Sequence, residues 1–128
     1  MILVDSSVWI DHLRGGEPAL ARLLEGGRVL AHPFVIGELA LGSLRQRDVI
    51  LGALRDLPRA IEASDDEVLR FVGENALFGL GIGYVDAHLL AAVTLTPGSS
   101  LWTRDKRLHA VVERFGLAAK VAGAPNAT

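Results

Sequence analysis

The chain has 128 residues, half of them apolar, no cysteine, and a net charge of −2 from 13 basic and 15 acidic residues. This length favours one domain with a sizeable core, and the lack of cysteine excludes disulfides and thiolate metal sites. The charge excludes binding to nucleic acid through bulk positive charge, although the chain would be slightly basic if four acids were set aside for one site.

The apolar segments predict strands that alternate with helices. The first strand is Ile2 to Val4, because an unbroken apolar run indicates a strand that is covered on both faces. Further strands are predicted at residues 29–31 and from Leu101, with weaker ones at 60–63 and 118–121.

Helices are predicted between these strands from their caps and their apolar spacing. Ser6 or Ser7 is expected to cap the first helix, and Ser64 with Glu67 indicates a capping box before another. The remaining helices are predicted from Pro18, from Pro33 to about Leu44, from about Asp48 to Leu57, from about Tyr84 to Leu95 and after Asp105.

This order of elements predicts a three-layer α/β/α domain with a mainly parallel sheet of four to five strands. The domain is expected to span residues 1–123, with a loose tail at residues 124–128. No signal peptide and no membrane-spanning stretch is visible, so we expect a cytoplasmic protein without membrane association.

Two acidic residues follow predicted strands. Asp5 comes directly after the first strand, and Asp105 follows the strand that begins at Leu101. Ligands of open parallel sheets bind at the carboxyl ends of the strands, so both acids are candidates for a site at that edge. The alternative for each is a helix N-cap, which is compatible with a carboxylate that also faces a cleft.

Two further acids lie among apolar residues on predicted helices. Glu38 has Phe34 and Leu41 among its helical neighbours, and Asp86 has Leu89 and Leu90. An unpaired buried carboxylate is costly, so each is expected to bind an ion, find a distant partner or face a cleft. The alternatives are a helix face that reaches solvent for Glu38 and a helix cap for Asp86.

The four acids together indicate a site for a hard divalent cation. Mg²⁺ and Mn²⁺ prefer carboxylate oxygens, and a site that lacks histidine and cysteine ligands suits phosphate chemistry. The histidines are interpreted as surface or structural residues: His12, His32, His88 and His109. Among the basic residues, the three that flank Asp105 are the better candidates for holding a phosphate backbone, with a solvated helix start as the alternative: Arg104, Lys106 and Arg107.

The ordered set of acidic motifs resembles a PIN domain of the VapC-type toxin ribonucleases over nearly the whole chain. The motifs are Val4-Asp5-Ser6-Ser7, Ile36-Gly37-Glu38-Leu39, Tyr84-Val85-Asp86-Ala87 and Thr103-Arg104-Asp105. The resemblance implies the toxin of a type II toxin–antitoxin module that acts as a Mg²⁺- or Mn²⁺-dependent endoribonuclease. It also implies a homodimer and a cognate VapB-type antitoxin.

Carried over by position, the resemblance assigns the acidic quartet to Asp5, Glu38, Asp86 and Asp105. Asp5, Asp86 and Asp105 are expected to hold the metal, while Glu38 holds it or orders its water. The expected helpers, which would hold a water or a carboxylate, are Ser6, Ser7 and Thr103. The apolar helices between Leu20 and Leu57 are expected to form the antitoxin groove.

Two other functions fit parts of the sequence. A non-catalytic RNA-binding or regulatory module could use the same fold, but the intact quartet argues against it. An aspartate-dependent phosphatase of the haloacid-dehalogenase kind also begins with a strand and an aspartate, but the second acid expected two residues later is Ser7 here.

Overall fold

A computed structural model describes residues 1–121 of the chain. The described part is an α/β domain in which three short strands alternate with seven helices. The strands are β1 (Ile2–Val4), β2 (Val29–Leu30) and β3 (Ser100–Trp102). The helices are α1 (Ser6–Gly15), α2 (Pro18–Glu25), α3 (Pro33–Ala40), α4 (Arg47–Arg55), α5 (Asp65–Glu74), α6 (Tyr84–Leu95) and α7 (Lys106–Arg114). The predicted tail and the predicted domain end at residue 123 lie outside the described residues.

The sheet is parallel, with β1 between β2 and β3. Leu3 of β1 pairs with Leu30 on one side and with Leu101 on the other. All three residues of β1 are buried, and successive side chains of a strand point to opposite faces of the sheet. Both faces of the sheet are therefore covered, as the apolar run predicts.

Within residues 1–121 the sheet has three strands, so the prediction of four to five strands is wrong. In place of the two predicted weak strands, the structure has isolated parallel bridges: Ala31 pairs with Arg59, directly before residues 60–63, and Leu101 pairs with Ala118. Both predicted segments, 60–63 and 118–121, are rich in alanine, which has a low strand propensity. Neither segment extends the sheet as a strand.

The helix starts depend on local capping. The capping box of Ser64 and Glu67 is confirmed at the start of α5. The prediction that Ser6 or Ser7 caps the first helix is wrong, because α1 has Asp5 at its N-cap and Ser6 as its first residue. Helix α3 ends at Ala40 and not near Leu44, just before a Gly-Ser pair at residues 42 and 43 that disfavours a helix.

Helix α6 passes through the centre of the domain. Every residue from Ala87 to Val93 is buried, which is typical of a helix that is apolar on all sides. It packs against α5 and β3. None of the helices within residues 1–121 combines the length and the apolar character needed to cross a membrane.

Replacing Leu3 by alanine tests whether β1 is the centre of the core. The Leu3 side chain has no exposed surface, so Leu3→Ala should lower the free energy of unfolding by about 2–5 kcal/mol. Leu69→Ala is the control, because Leu69 is 61% exposed and its loss should change stability by about 0.5 kcal/mol or less. Urea denaturation measures both; equal effects would contradict the position of β1.

Candidate active site

Asp5 lies at the carboxyl end of β1, where segments from both ends of the chain meet. Its backbone N–H donates to Trp102 O at 2.9 Å, which continues the β1–β3 pairing by one residue. Its side chain is buried, and Oδ2 accepts hydrogen bonds of 2.8 Å from both Ser7 Oγ and Thr103 Oγ1. Two of the predicted helper residues thus hold this carboxylate in one orientation.

Asp105 lies at the neighbouring strand end and caps α7, as the N-cap interpretation predicts. Its Oδ1 accepts from Leu108 N at 2.9 Å, and its own N–H donates to Thr103 Oγ1 at 3.1 Å. Thr103 therefore connects the backbone of Asp105 with the carboxylate of Asp5. The parallel pairing of β1 and β3 brings these two acids to the same edge of the sheet.

The other two acids come from the helices α3 and α6. Glu38 is exposed and accepts a hydrogen bond of 3.1 Å from Ser6 Oγ. The side chain is therefore not buried among apolar residues, and it has a partner that is distant in the sequence. Asp86 is partly buried at the third position of α6, where its Oδ2 accepts from Gly83 N at 2.9 Å. The capping interpretation of Asp86 is thereby correct, and it leaves the other oxygen open.

All four carboxylates share one feature. In each, a single oxygen accepts hydrogen bonds from the protein, while the second oxygen accepts none within residues 1–121. The bonded oxygens are Asp5 Oδ2, Glu38 Oε1, Asp86 Oδ2 and Asp105 Oδ1. Within residues 1–121, the protein thus holds each carboxylate by one oxygen and gives the other no hydrogen-bond donor.

The charges of the four acids act on one another. Neighbouring protein atoms partly desolvate the Glu38 carboxyl and raise its pKa, although the side chain is exposed; the hydrogen bond from Ser6 opposes this rise, and the charges of Asp5 and Asp86 add to it. Burial raises the pKa of Asp86, and the charges of Asp5 and Asp105 add to the rise. The hydrogen bond from Gly83 acts in the opposite direction and lowers it. Mutual repulsion therefore links all four acids into one electrostatic cluster.

The donor set fits a hard divalent cation, although the side chains are spread. Within residues 1–121, no three His, Cys, Asp or Glu side chains are grouped closely enough to hold a metal ion as placed. Like charges repel, so such carboxylates stay apart unless a cation offsets their charge. The open oxygens are the ligand type that Mg²⁺ and Mn²⁺ prefer.

The basic residues beside Asp105 fall into two groups. Arg104 forms ion pairs with Asp11 and Glu17. Burial acts to lower the pKa of Arg104, but its hydrogen bonds to these two acids outweigh this and raise it. Lys106 and Arg107 instead line an open groove of about 420 Å³ along α7, which is completed by Leu80, Ala110, Val111 and Arg114.

Two residues of this region are missing from the sequence-based prediction. Arg114 shares a helix face with Arg107, seven residues earlier, and this spacing is a signal that the sequence contains. Gly81 has φ of +79°, and a Cβ there would lie 2.8 Å from the Arg107 side chain. The glycine thus allows the loop before α6 to contact Arg107, a long-range reason that no local pattern reveals.

Neutralising Asp86 tests the electrostatic cluster. A raised pKa means that the native state binds the proton more tightly than the unfolded state, so the unfolding free energy falls as pH rises above the ordinary carboxyl range. Asp86→Asn keeps an acceptor for Gly83 N, and in chelator at pH 7 it should be as stable as wild type or more stable. This advantage should disappear at pH values below the ordinary carboxyl pKa.

Asp66→Asn is the control for this measurement. Asp66 is an exposed acid in the first turn of α5, where loss of the charge should leave stability unchanged or slightly lower. Urea denaturation across the acid and neutral range measures both variants. A clear loss of stability in Asp86→Asn at pH 7 would contradict the mutual repulsion of the acids.

Comparisons with known proteins agree with the acidic motifs. The PIN domain model matches residues 2–114, a region that contains all four acids. Two proteins named Ribonuclease VapC32, from Mycobacterium tuberculosis strains CDC 1551 / Oshkosh and ATCC 25618 / H37Rv, are each 52% identical over 118 residues, which cover 92% of this chain and 95% of theirs. No solved structure gave a match. The chain therefore belongs to the PIN domain family and, within it, to the VapC-type proteins.

Proposed function

We propose that this protein is the toxin of a type II toxin–antitoxin module and that it hydrolyses RNA phosphodiester bonds in the cytoplasm with Mg²⁺ or Mn²⁺. The observation that carries the proposal is the set of four acids, each with one oxygen held by the protein and one oxygen open. The similarity to proteins named Ribonuclease VapC32 supports RNA as the substrate.

Asp5, Asp86 and Asp105 would hold the cation through their open oxygens, and Glu38 would hold it or order a water molecule. A bound divalent cation supplies positive charge that activates water and stabilises the phosphoryl oxygens. Ser7 and Thr103 keep Asp5 in one rotamer, and Ser6 orients Glu38. The oxygen of Glu38 that is not bonded to Ser6 is the acceptor to which such a water molecule would donate.

The groove along α7 is the proposed path of the RNA backbone. It begins at Lys106, directly after the acid Asp105, and its three cations are Lys106, Arg107 and Arg114. Cations in a groove attract phosphates without reading the base sequence. The negative total charge of the chain is therefore compatible with RNA binding, because the positive charge is concentrated beside the site.

Two protein partners belong to the proposal: a second copy of the chain and a VapB-type antitoxin. The predicted antitoxin groove between Leu20 and Leu57 contains two strongly exposed apolar residues, Leu41 at 91% and Val49 at 66%. Exposed apolar residues that lie close together are typical of a surface that a partner covers. Packing of α3 on α4 places both residues on neighbouring elements.

Among the alternatives, the phosphatase mechanism lacks support. Ser7 lies where that mechanism needs a second acid, and its hydroxyl donates to Asp5. A non-catalytic RNA-binding module would not need four carboxylates with open oxygens, whose repulsion destabilises the fold. RNA cleavage by the purified protein is the observation that separates the catalytic from the non-catalytic function.

Replacing Asp5 tests catalysis and metal binding together. Asp5→Asn retains an oxygen that can accept from Ser7 and Thr103, so the variant should fold. RNA cleavage with Mn²⁺ should fall by more than about 100-fold, beyond the 10–100-fold typical of residues that only support a metal ligand. Added Mn²⁺ should raise the melting temperature of wild type, and the rise should be smaller in Asp5→Asn.

The control for catalysis is Asp66→Asn, which should cleave RNA as wild type does. Full activity of Asp5→Asn would remove Asp5 from the mechanism. Equal thermal shifts in wild type, Asp5→Asn and Asp86→Asn would show that these acids do not share a metal site.

Replacing Leu41 tests the antitoxin surface. Leu41→Asp places a charge on the exposed apolar surface and should weaken the complex with the cognate antitoxin by about tenfold or more, which corresponds to about 1.4 kcal/mol. Leu69→Asp is the matched control, because Leu69 is exposed on α5, outside the predicted groove. Calorimetric titration measures both, and equal affinities would exclude Leu41 from the antitoxin interface.

A further inference from the structure

We propose that Arg104 is a positioning residue for the reaction: its guanidinium, held by Asp11 and Glu17, fixes the loop that carries Thr103 and Asp105. The inference rests on the proposed function, because the loop matters only if Asp5 and Asp105 act on a substrate. It assigns Arg104 to the support of the acids and leaves phosphate binding to Lys106 and Arg107.

The guanidinium of Arg104 connects three segments of the chain. It lies in the short loop between β3 and α7, while Asp11 belongs to α1 and Glu17 is the N-cap of α2. Nη1 donates to Asp11 Oδ2, and Nη2 donates to Glu17 Oε2. The two ends of the planar guanidinium are thus used by two different carboxylates, which restrains its orientation as one contact would not.

Glu17 is itself firmly held. Its Oε1 accepts from Ala19 N at 3.3 Å, which caps α2, and its N–H donates to His12 Nδ1 at 2.9 Å. Its side chain is only 15% exposed. The guanidinium therefore binds a restrained acid in the connection between α1 and α2. Ion pairs between mobile, exposed side chains contribute little to stability, but the partly buried pair of Arg104 and Glu17 is less affected by this limit.

The backbone of Arg104 continues this network into the site. Its N–H donates to Ser7 Oγ at 3.1 Å, and Ser7 Oγ donates to Asp5 Oδ2 at 2.8 Å. On either side of Arg104 are Thr103, which donates to Asp5, and Asp105, whose N–H donates to Thr103 Oγ1. A shift of this one residue would therefore disturb both donors of Asp5 and the direction of Asp105.

The neighbouring cations differ from Arg104. Lys106 and Arg107 line the open groove and form no ion pair among residues 1–121. The two carboxylates offset the positive charge of Arg104, so its guanidinium attracts a phosphate less strongly than an unpaired cation does. Contact with RNA thus favours Lys106 and Arg107, and the ion pairs favour a positioning role for Arg104.

The test separates the rate of cleavage from the binding of RNA. The probe is a short RNA that spans a site cut by wild type, mapped by sequencing the cleaved ends. Single-turnover rates are measured at saturating protein, and dissociation constants are measured in chelator at several salt concentrations. Arg104→Lys retains the charge without the two-ended guanidinium. The double variant Asp11→Asn with Glu17→Gln removes the charge of both partners, while the amide oxygen introduced by Glu17→Gln can still cap α2.

Both changes should lower the single-turnover rate by about 10- to 100-fold, the scale of a slightly misplaced catalytic group. The dissociation constant should stay within about twofold of wild type, with an unchanged salt dependence. Arg107→Ala is the comparison, and it should weaken binding and reduce the slope of log affinity against log salt by about 0.7–0.9. Asp11 is an exposed acid. Introduced into the wild-type protein, Asp11→Asn should lower the single-turnover rate, and added to the Arg104→Lys variant it should lower the rate no further.

The opposite outcomes overturn the proposal. Wild-type rates in Arg104→Lys and in the double variant would show that the guanidinium does not position the loop. Tighter RNA binding with a steeper salt slope in the double variant would show that Asp11 and Glu17 merely compete with phosphate for Arg104. A wild-type protein that cleaves no RNA would contradict the proposed function itself, and this outcome is read before any variant is compared. Urea denaturation of every variant confirms that rates are compared between folded proteins.

Discussion

Asp5 receives two hydrogen bonds on the same carboxylate oxygen, and the candidate active site depends on this contact. One donor, Ser7, is local, while the other, Thr103, is 98 residues away in the chain. Thr103 can reach Asp5 because β1 and β3 are adjacent and parallel, so that their carboxyl ends meet at the same edge of the sheet. The three-stranded sheet is small, but its central pairing is sufficient to set the position of the first and last acids.

The four acids form a cluster whose charges repel one another. Four carboxylates act on one another, and the pKa of Glu38 and of Asp86 is raised. The protein holds the cluster by giving each acid one hydrogen-bonded oxygen, from a hydroxyl or a backbone N–H. These contacts fix the direction of the carboxylates and do not neutralise them, which leaves their charge available to a cation.

The basic residues near the site have two different environments. Arg104 forms ion pairs with acids of α1 and of the α1–α2 connection, whereas Lys106, Arg107 and Arg114 line an open groove. Gly81 belongs to the same arrangement, because its left-handed backbone and its missing Cβ make room for the Arg107 side chain. Neighbouring residues of one sequence motif thus differ in role because they meet different surroundings.

Local chemistry makes much of this protein predictable. The capping box of Ser64 and Glu67 and the cap at Asp105 depend only on residues within one helical turn, and the structure has them as predicted. That residues 60–63 and 118–121 form no strands is not predictable in this way, because extension of a sheet depends on the partner strand as well as on the segment itself.

The sequence by itself determined which acids follow strands and which lie on helices, since the alternation of apolar and polar residues reflects the local backbone period. Only the tertiary structure decided what each charged group meets. Arg104 binds Asp11 and Glu17, which are 93 and 87 residues away, and Glu38 binds Ser6 across 32 residues. Such pairs arise from the packing of distant elements, and no spacing along the chain records them.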